Sequence, residues 1–170
     1  MSILRIREYP DEVLRLAAQP VANVDGHLQA LIDDMFDTLY AVPGLGLAAP
    51  QVGASLQLFV YDLGIREGEH ERKIILNPTI AEQEGELTEE EGCLSIPDYR
   101  ELIARAARVL LKGFDRDGRE VQIEAHGLEA RLFQHELDHL NGVLMLDRMS
   151  PLKRDLFQRK TKKRLKTAGD

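Results

Sequence analysis

Apolar side chains recur at helical spacing after residue 25: Leu28, Leu31, Ile32, Met35, Phe36, Leu39 and Tyr40 share one face. Asp25 precedes them, and its short carboxylate can accept from the free N–H groups of a first turn. The spacing predicts a helix from Asp25 to about Tyr40, ended by Pro43, Gly44 and Gly46. Residues 1–20 show no such period and are expected to be extended or irregular, punctuated by Pro10 and Pro20. Short apolar runs at 56–61 and 73–76 predict strands, with 62–72 between them as a polar loop or wide hairpin connection. Residues 82–91 carry six glutamates and are expected to form a solvated strand or loop. Within 101–112, which mixes apolar residues with arginines, 109–114 is the best strand. Asp117-Gly118 then marks a hairpin turn before 119–124.

From about Glu124 to Asn141 the pattern is helical again. Leu128, Leu132, His135 and His139 fall on one side, and Phe133, Leu137 and Leu140 put apolar surface elsewhere. A helix apolar around much of its circumference is a buried one. Gly142 is placed to end it, and Ser150-Pro151 to begin a last helix. Helix, antiparallel-type strands, central helix and tail helix make an α+β domain: antiparallel sheets packed around the central helix.

The chain's 170 residues can bury a core without staples. A single cysteine excludes an internal disulfide and fits a reducing compartment. The N-terminus has no apolar signal segment and no run reaches membrane-spanning length, so a cytoplasmic protein is expected. The net charge of −7 argues against a dedicated nucleic-acid binder, yet residues 151–170 hold eight Lys/Arg against two Asp. That basic tail is either a solvated helix or a patch that meets a polyanion such as ribosomal RNA.

The chemistry concentrates between Cys93 and His139. Residues 135–139 read His-Glu-Leu-Asp-His. On a helix the two histidines share a face and can reach one metal, while Glu136 sits beside that face, able to reach water without being a ligand. The extended three-histidine pattern fails, because residue 145 is Met, and no Glu follows Glu136 to serve as a third ligand. Cys93, flanked by Gly92, is the remaining donor. Cys93, His135 and His139 would leave one position open for water, which points to a hydrolase. The bland accounts are core histidines bonded to polar partners and an inert buried thiol. Residues 44–51 (GLGLAAPQ) lack the pattern of a phosphate loop; their small residues let backbone approach a ligand, and Gln51 can donate amide hydrogens to an oxyanion. The bland alternative there is a turn, packed alanines and a surface glutamine.

Three segments, GLGLAAPQ at 44–51, EGCLS at 91–95 and QHELDHLNG at 134–142, together make the chain resemble bacterial peptide deformylases over residues 3–150. The resemblance implies a catalytic domain at 1–150 with 151–170 as its basic helical tail. It implies a hydrolase that removes the formyl group from N-formylmethionyl peptides and releases formate, one divalent metal ion on Cys93, His135 and His139, and Glu136 as the catalytic acid–base. Iron is the expected metal, as Fe2+, with Zn2+, Ni2+ or Co2+ also accepted. Gln51 and the Leu94 N–H match the oxyanion donors, Leu45 and Gly46 substrate-lining positions, and Arg100 a position near the peptide cleft. Some members also contact the ribosome through a C-terminal helix. Glu89 and Arg131 are polar where some members have apolar pocket residues, which would either alter side-chain preference at the pocket rim or let their stems pack there while the charges reach water. Another metallo-amidase or peptidase with the same ligands is the competing enzyme, and a metal-stabilised or RNA-associated protein the non-enzymatic one.

Overall fold

Asp25 caps the first helix as expected: its Oδ1 accepts from Leu28 N–H at 2.9 Å, and α1 runs Gly26–Tyr40. The structure, a computed structural model, describes residues 2–168. Seven strands follow: β1 (Gly46–Ala48), β2 (Leu58–Tyr61), β3 (Lys73–Glu84), β4 (Leu87–Cys93), β5 (Ile96–Arg105), β6 (Arg108–Phe114) and β7 (Glu120–His126). Then come α2 (Gly127–Leu140) and α3 (Pro151–Ala168). Five strands form an antiparallel sheet in the order β1-β2-β3-β6-β7, and β4 pairs with β5 in a separate hairpin. This is the expected α+β architecture.

Helix α1 buries Leu28, Ile32, Met35, Phe36 and Leu39 in a cluster with Leu47, Leu58 and Val60 of the sheet. Helix α2 packs Ala130, Phe133 and Leu140 among Phe59, Tyr61, Val109 and Leu111. The Phe133 and Tyr61 rings meet edge to face at 5.2 Å, and truncating a buried phenylalanine of this kind costs about 3–5 kcal/mol. Gln134 fastens the same helix to the β5–β6 connection. Its Oε1 accepts from Ala106 N–H at 2.9 Å and its Nε2 donates to Ala106 O at 3.0 Å.

Several elements depart from the pattern-based expectation. Strand β3 continues well past residue 76, through Pro78 and into the glutamates. The ladder shifts register between Leu76 and Thr79, and Asn77 adopts φ 49°, so the proline sits where the ladder is already broken. Residues 124–126 stay extended as the end of β7, and α2 starts only at Gly127, whose φ of 56° makes the corner. Residues 1–20 contain a short 3-10 turn, Glu12–Arg15, capped by Asp11. Around it the N-terminal segment is laced to the body: Arg7 N–H donates to Gln51 O (2.6 Å), Tyr9 N–H to Ser95 O (2.8 Å) and Ala18 N–H to Leu140 O (2.9 Å).

Helix α3 buries only Thr161, and Phe157 packs partly against Tyr9 and Tyr99, so most of its basic residues are exposed. Residues 169 and 170 of the expected tail lie outside the described residues. No described helix is long and apolar enough to cross a membrane.

Candidate active site

The β4–β5 hairpin closes at Cys93 and Ile96, leaving Leu94 and Ser95 as a two-residue turn. Beyond it the register jumps, because Gly92 pairs with Arg100; the extra residues bulge outward, and Asp98 within them takes φ 60°. The bulge turns the tip toward α2. Cys93 Sγ lies 3.3 Å from His139 Nε2, and His139 Nε2 lies 3.2 Å from His135 Nε2. One donor atom from each of the three residues falls within 4.8 Å of the others.

Glu91, two residues before Cys93, is buried rather than solvated. Its Oε1 accepts from His135 Nδ1 and from Arg105 Nη2 (2.6 Å); its Oε2 accepts from Arg105 Nε (3.1 Å) and Arg131 Nη1 (2.8 Å). Arg105 Nη1 continues to Asp138 Oδ2 at 2.7 Å, and Asp138 also binds Arg148. Burial by itself would raise the Glu91 pKa, but His135 and Arg105 outweigh it and hold the carboxyl well below its ordinary range. An ionised Glu91 can only accept, so Nδ1 of His135 carries a hydrogen and Nε2 is the ring atom left facing His139 and Cys93. Burial, then His135 and Arg105, push the His139 pKa well below its ordinary value, keeping that ring neutral. Two imidazole nitrogens and a sulfur converge closely enough for a single cation to reach all three. The donor set therefore fits a divalent metal, and thiolate with imidazole suits zinc, iron, nickel or cobalt.

Glu136 is buried on the same helix, and its Oε2 has no partner among the described residues. Burial pushes its pKa up to about 7, against the opposing pull of His135. Gln51 is buried as well, in the 3-10 turn Ala49–Val52 after β1. Its Oε1 accepts from Ala48 N–H at 2.9 Å; its Nε2 faces Ser95 Oγ (3.1 Å) and Cys93 Sγ (3.8 Å). A cavity of about 900 Å³ is lined by Leu45, Gly46, Gln51, Cys93, Leu94, Glu136 and Arg100 among others. Every candidate except His139, which lies behind His135, thus borders one space. Arg100 stands at an exposed edge, paired with Glu90 at 2.8 Å.

A sequence model of the polypeptide deformylase family matches residues 3–155. The chain belongs to that family. A peptide deformylase of Thermodesulfovibrio yellowstonii is 50% identical over 162 residues, which cover 95% of this chain and 98% of the relative. One of Syntrophobacter fumaroxidans is 51% identical over 168 residues, 99% of each chain. The crystal structure of a Legionella pneumophila peptide deformylase superposes with a TM-score of 0.89 at 46% identity, covering 98% of both chains.

In this member of the deformylase family Arg131 does not send its charge to water. It is buried, donating to Glu91, to Ile103 O (2.9 Å) and to Leu87 O (2.7 Å), while still lining the cavity. Glu89 stays exposed. Of the inward set, Glu91 read as part of a solvated glutamate run and Arg131 as a charge reaching water, while Arg105, Asp138 and Ser95 carried no role, because charged and hydroxyl residues look solvated. One signal was available: Ile103 and Arg105 stand two apart on β5, and both point inward.

Proposed function

We propose that this chain is a peptide deformylase acting on N-formylmethionyl peptides, releasing formate and a free N-terminal methionine. The observation that carries this reading is the meeting of Cys93, His135 and His139 at the edge of a cavity that Glu136 also lines, with one Glu136 oxygen unpartnered among the described residues. Cys93, His135 and His139 would hold the metal. A bound divalent cation supplies Lewis-acid chemistry and makes water acidic near neutral pH.

Glu136 serves both halves of the reaction. Buried at the cavity with one oxygen unpartnered among the described residues, it is placed to take a proton from the attacking water and give it to the departing amine. As the formyl carbon becomes tetrahedral, negative charge gathers on its oxygen. Gln51 Nε2, facing the hairpin tip, and the Leu94 N–H within that tip are the chain's donors for that oxygen, and losing one such donor costs about 3–4 kcal/mol in the transition state. Leu45 and Gly46 line the space for the formylated residue, with Arg100 farther along the peptide. Buried walls exclude bulk water and strengthen each of these interactions.

Ferrous iron is the proposed working metal, supported by the family resemblance and by a donor set that accepts it. Residues 151–170 form a basic tail of the same domain as 1–150. Its exposed Lys and Arg support a proposed contact with ribosomal RNA, through which the enzyme would meet nascent chains in the cytoplasm. The test is formate release from formyl-Met-Ala-Ser by anaerobically purified protein, with metal content measured on the same sample and Glu136→Gln run alongside. Release by wild type, reduced about 100- to 10,000-fold in the variant with metal retained, is expected. A metal-loaded wild type that releases no formate but cuts internal amides would instead be another amidase or peptidase.

A further inference from the structure

Ser95 has no part in the chemistry above, yet it is 0% exposed and sits against Gln51. The Gln51 amide is oriented by its oxygen: Oε1 accepts from Ala48 N–H at 2.9 Å, and a backbone N–H only donates. Nε2 must therefore face the hairpin tip with both its hydrogens. One meets Ser95 Oγ at 3.1 Å. Among the described residues the other has the Cys93 sulfur at 3.8 Å, a weak acceptor that an incoming oxygen can displace. The two backbones are tied together too, since Arg7 N–H donates to Gln51 O and Tyr9 N–H to Ser95 O.

We propose that Ser95 is a positioning residue for Gln51: its hydroxyl oxygen fixes one amide hydrogen so that the second points at the developing oxyanion. This rests on the deformylase reading for its consequence in catalysis, and on the amide geometry alone for the positioning itself. Ser95 neither lines the cavity nor belongs to the converging donor set. A purely space-filling serine in a buried turn would affect stability without acting through Gln51.

The experiment is a double-mutant cycle of Ser95→Ala and Gln51→Ala, with metal content and thermal midpoint measured on each protein, and solvent exchange of the Gln51 side-chain amide followed by NMR. Removing one neutral hydrogen bond is expected to lower kcat about tenfold with KM little changed. In the Gln51→Ala background the same change should alter kcat by less than about twofold. Amide exchange at Gln51 should accelerate in Ser95→Ala, and Ser95→Thr, which keeps the hydroxyl, should restore both signals. An equal loss in both backgrounds, or unchanged kcat and unchanged exchange, overturns the proposal. If Ser95→Ala does not fold, the wild-type spectrum decides: two Gln51 amide hydrogens exchanging equally fast would overturn it. Absent formate release by wild type sinks the deformylase reading, while the exchange data still judge the positioning.

Discussion

Glu91 accepts the Nδ1 hydrogen of His135 and thereby turns the other nitrogen of that ring toward Cys93 and His139. A carboxylate behind a ligating histidine fixes tautomer and ring angle together. Here the carboxylate is itself held by Arg105 and Arg131. Replacing it with Glu91→Gln should weaken metal binding about 10- to 100-fold, read by competition with a chelator. It also removes one buried countercharge from Arg105 and Arg131, which keep Asp138 and two backbone carbonyls as acceptors, and unfolding in urea should show a loss of about 1–3 kcal/mol. Unchanged metal affinity would mean that Glu91 serves the fold alone.

Gly46 and Gly44 offer a matched pair. A Cβ on Gly46 would come 3.2 Å from Glu136 Oε1 and 3.3 Å from Leu132 Cδ1, inside the reacting space. On Gly44 it would meet only the end of the Leu94 side chain, at 3.0 Å, which can rotate away. Gly46→Ala should therefore lower kcat at least about tenfold with metal retained, and Gly44→Ala should do so far less. Steady-state kinetics on the two variants check the order.

Asp62 gives the pH prediction. Its side chain is fully buried and accepts from Tyr40 Oη (2.8 Å), Gly64 N–H (2.9 Å) and Glu71 N–H (3.0 Å). Burial would raise its pKa, but these donors outweigh it and hold the carboxyl below its ordinary 3.8. A depressed folded pKa gives stability that is present above the ordinary value and lost as pH falls through the folded one. Asp62→Asn should thus cost about 1–3 kcal/mol at pH 7, and the gap to wild type should narrow as pH drops below 3.8. Urea unfolding of both proteins across that range measures it, and a constant gap would count against the assignment.

Metal removal should destabilise the wild type, because a ligand that binds only the folded state adds to its stability. At a free metal concentration roughly 100 times Kd the contribution is about 2.7 kcal/mol. A chelator should lower the thermal midpoint of wild type and leave that of Cys93→Ala nearly unmoved. An equal drop in both would place the stabilising ion elsewhere.

Much of this architecture could be read from residue order. Asp25 and the apolar face after it defined α1, and Gly142, with φ 72°, closes the segment after α2 where expected. The convergence of Cys93, His135 and His139 was legible because helical spacing puts the two histidines on one face and the glycine-flanked thiol was the donor left over. Strand β3 was not, because Pro78 and the glutamates signal a break, and only the partner strand β6 shows that the ladder resumes beyond the bulge. Nor was the support behind the ligands. Arg105, Arg131 and Asp138 come from β5 and α2 and meet Glu91 only after the hairpin folds over the helix, a relationship that sequence separation conceals. Leu128, expected on the ligand face, lies at the cavity but remains largely exposed.

The N-terminal segment has a consequence of a different kind. Through Arg7 and Tyr9 it grips the carbonyls of Gln51 and Ser95, which belong to separate elements. A chain shortened past Tyr9 would keep every ligand and every acid–base group, yet the floor and the hairpin tip would lose their common clasp. Such a protein should still take up metal while its oxyanion donors drift apart, so occupancy of the centre would cease to report competence.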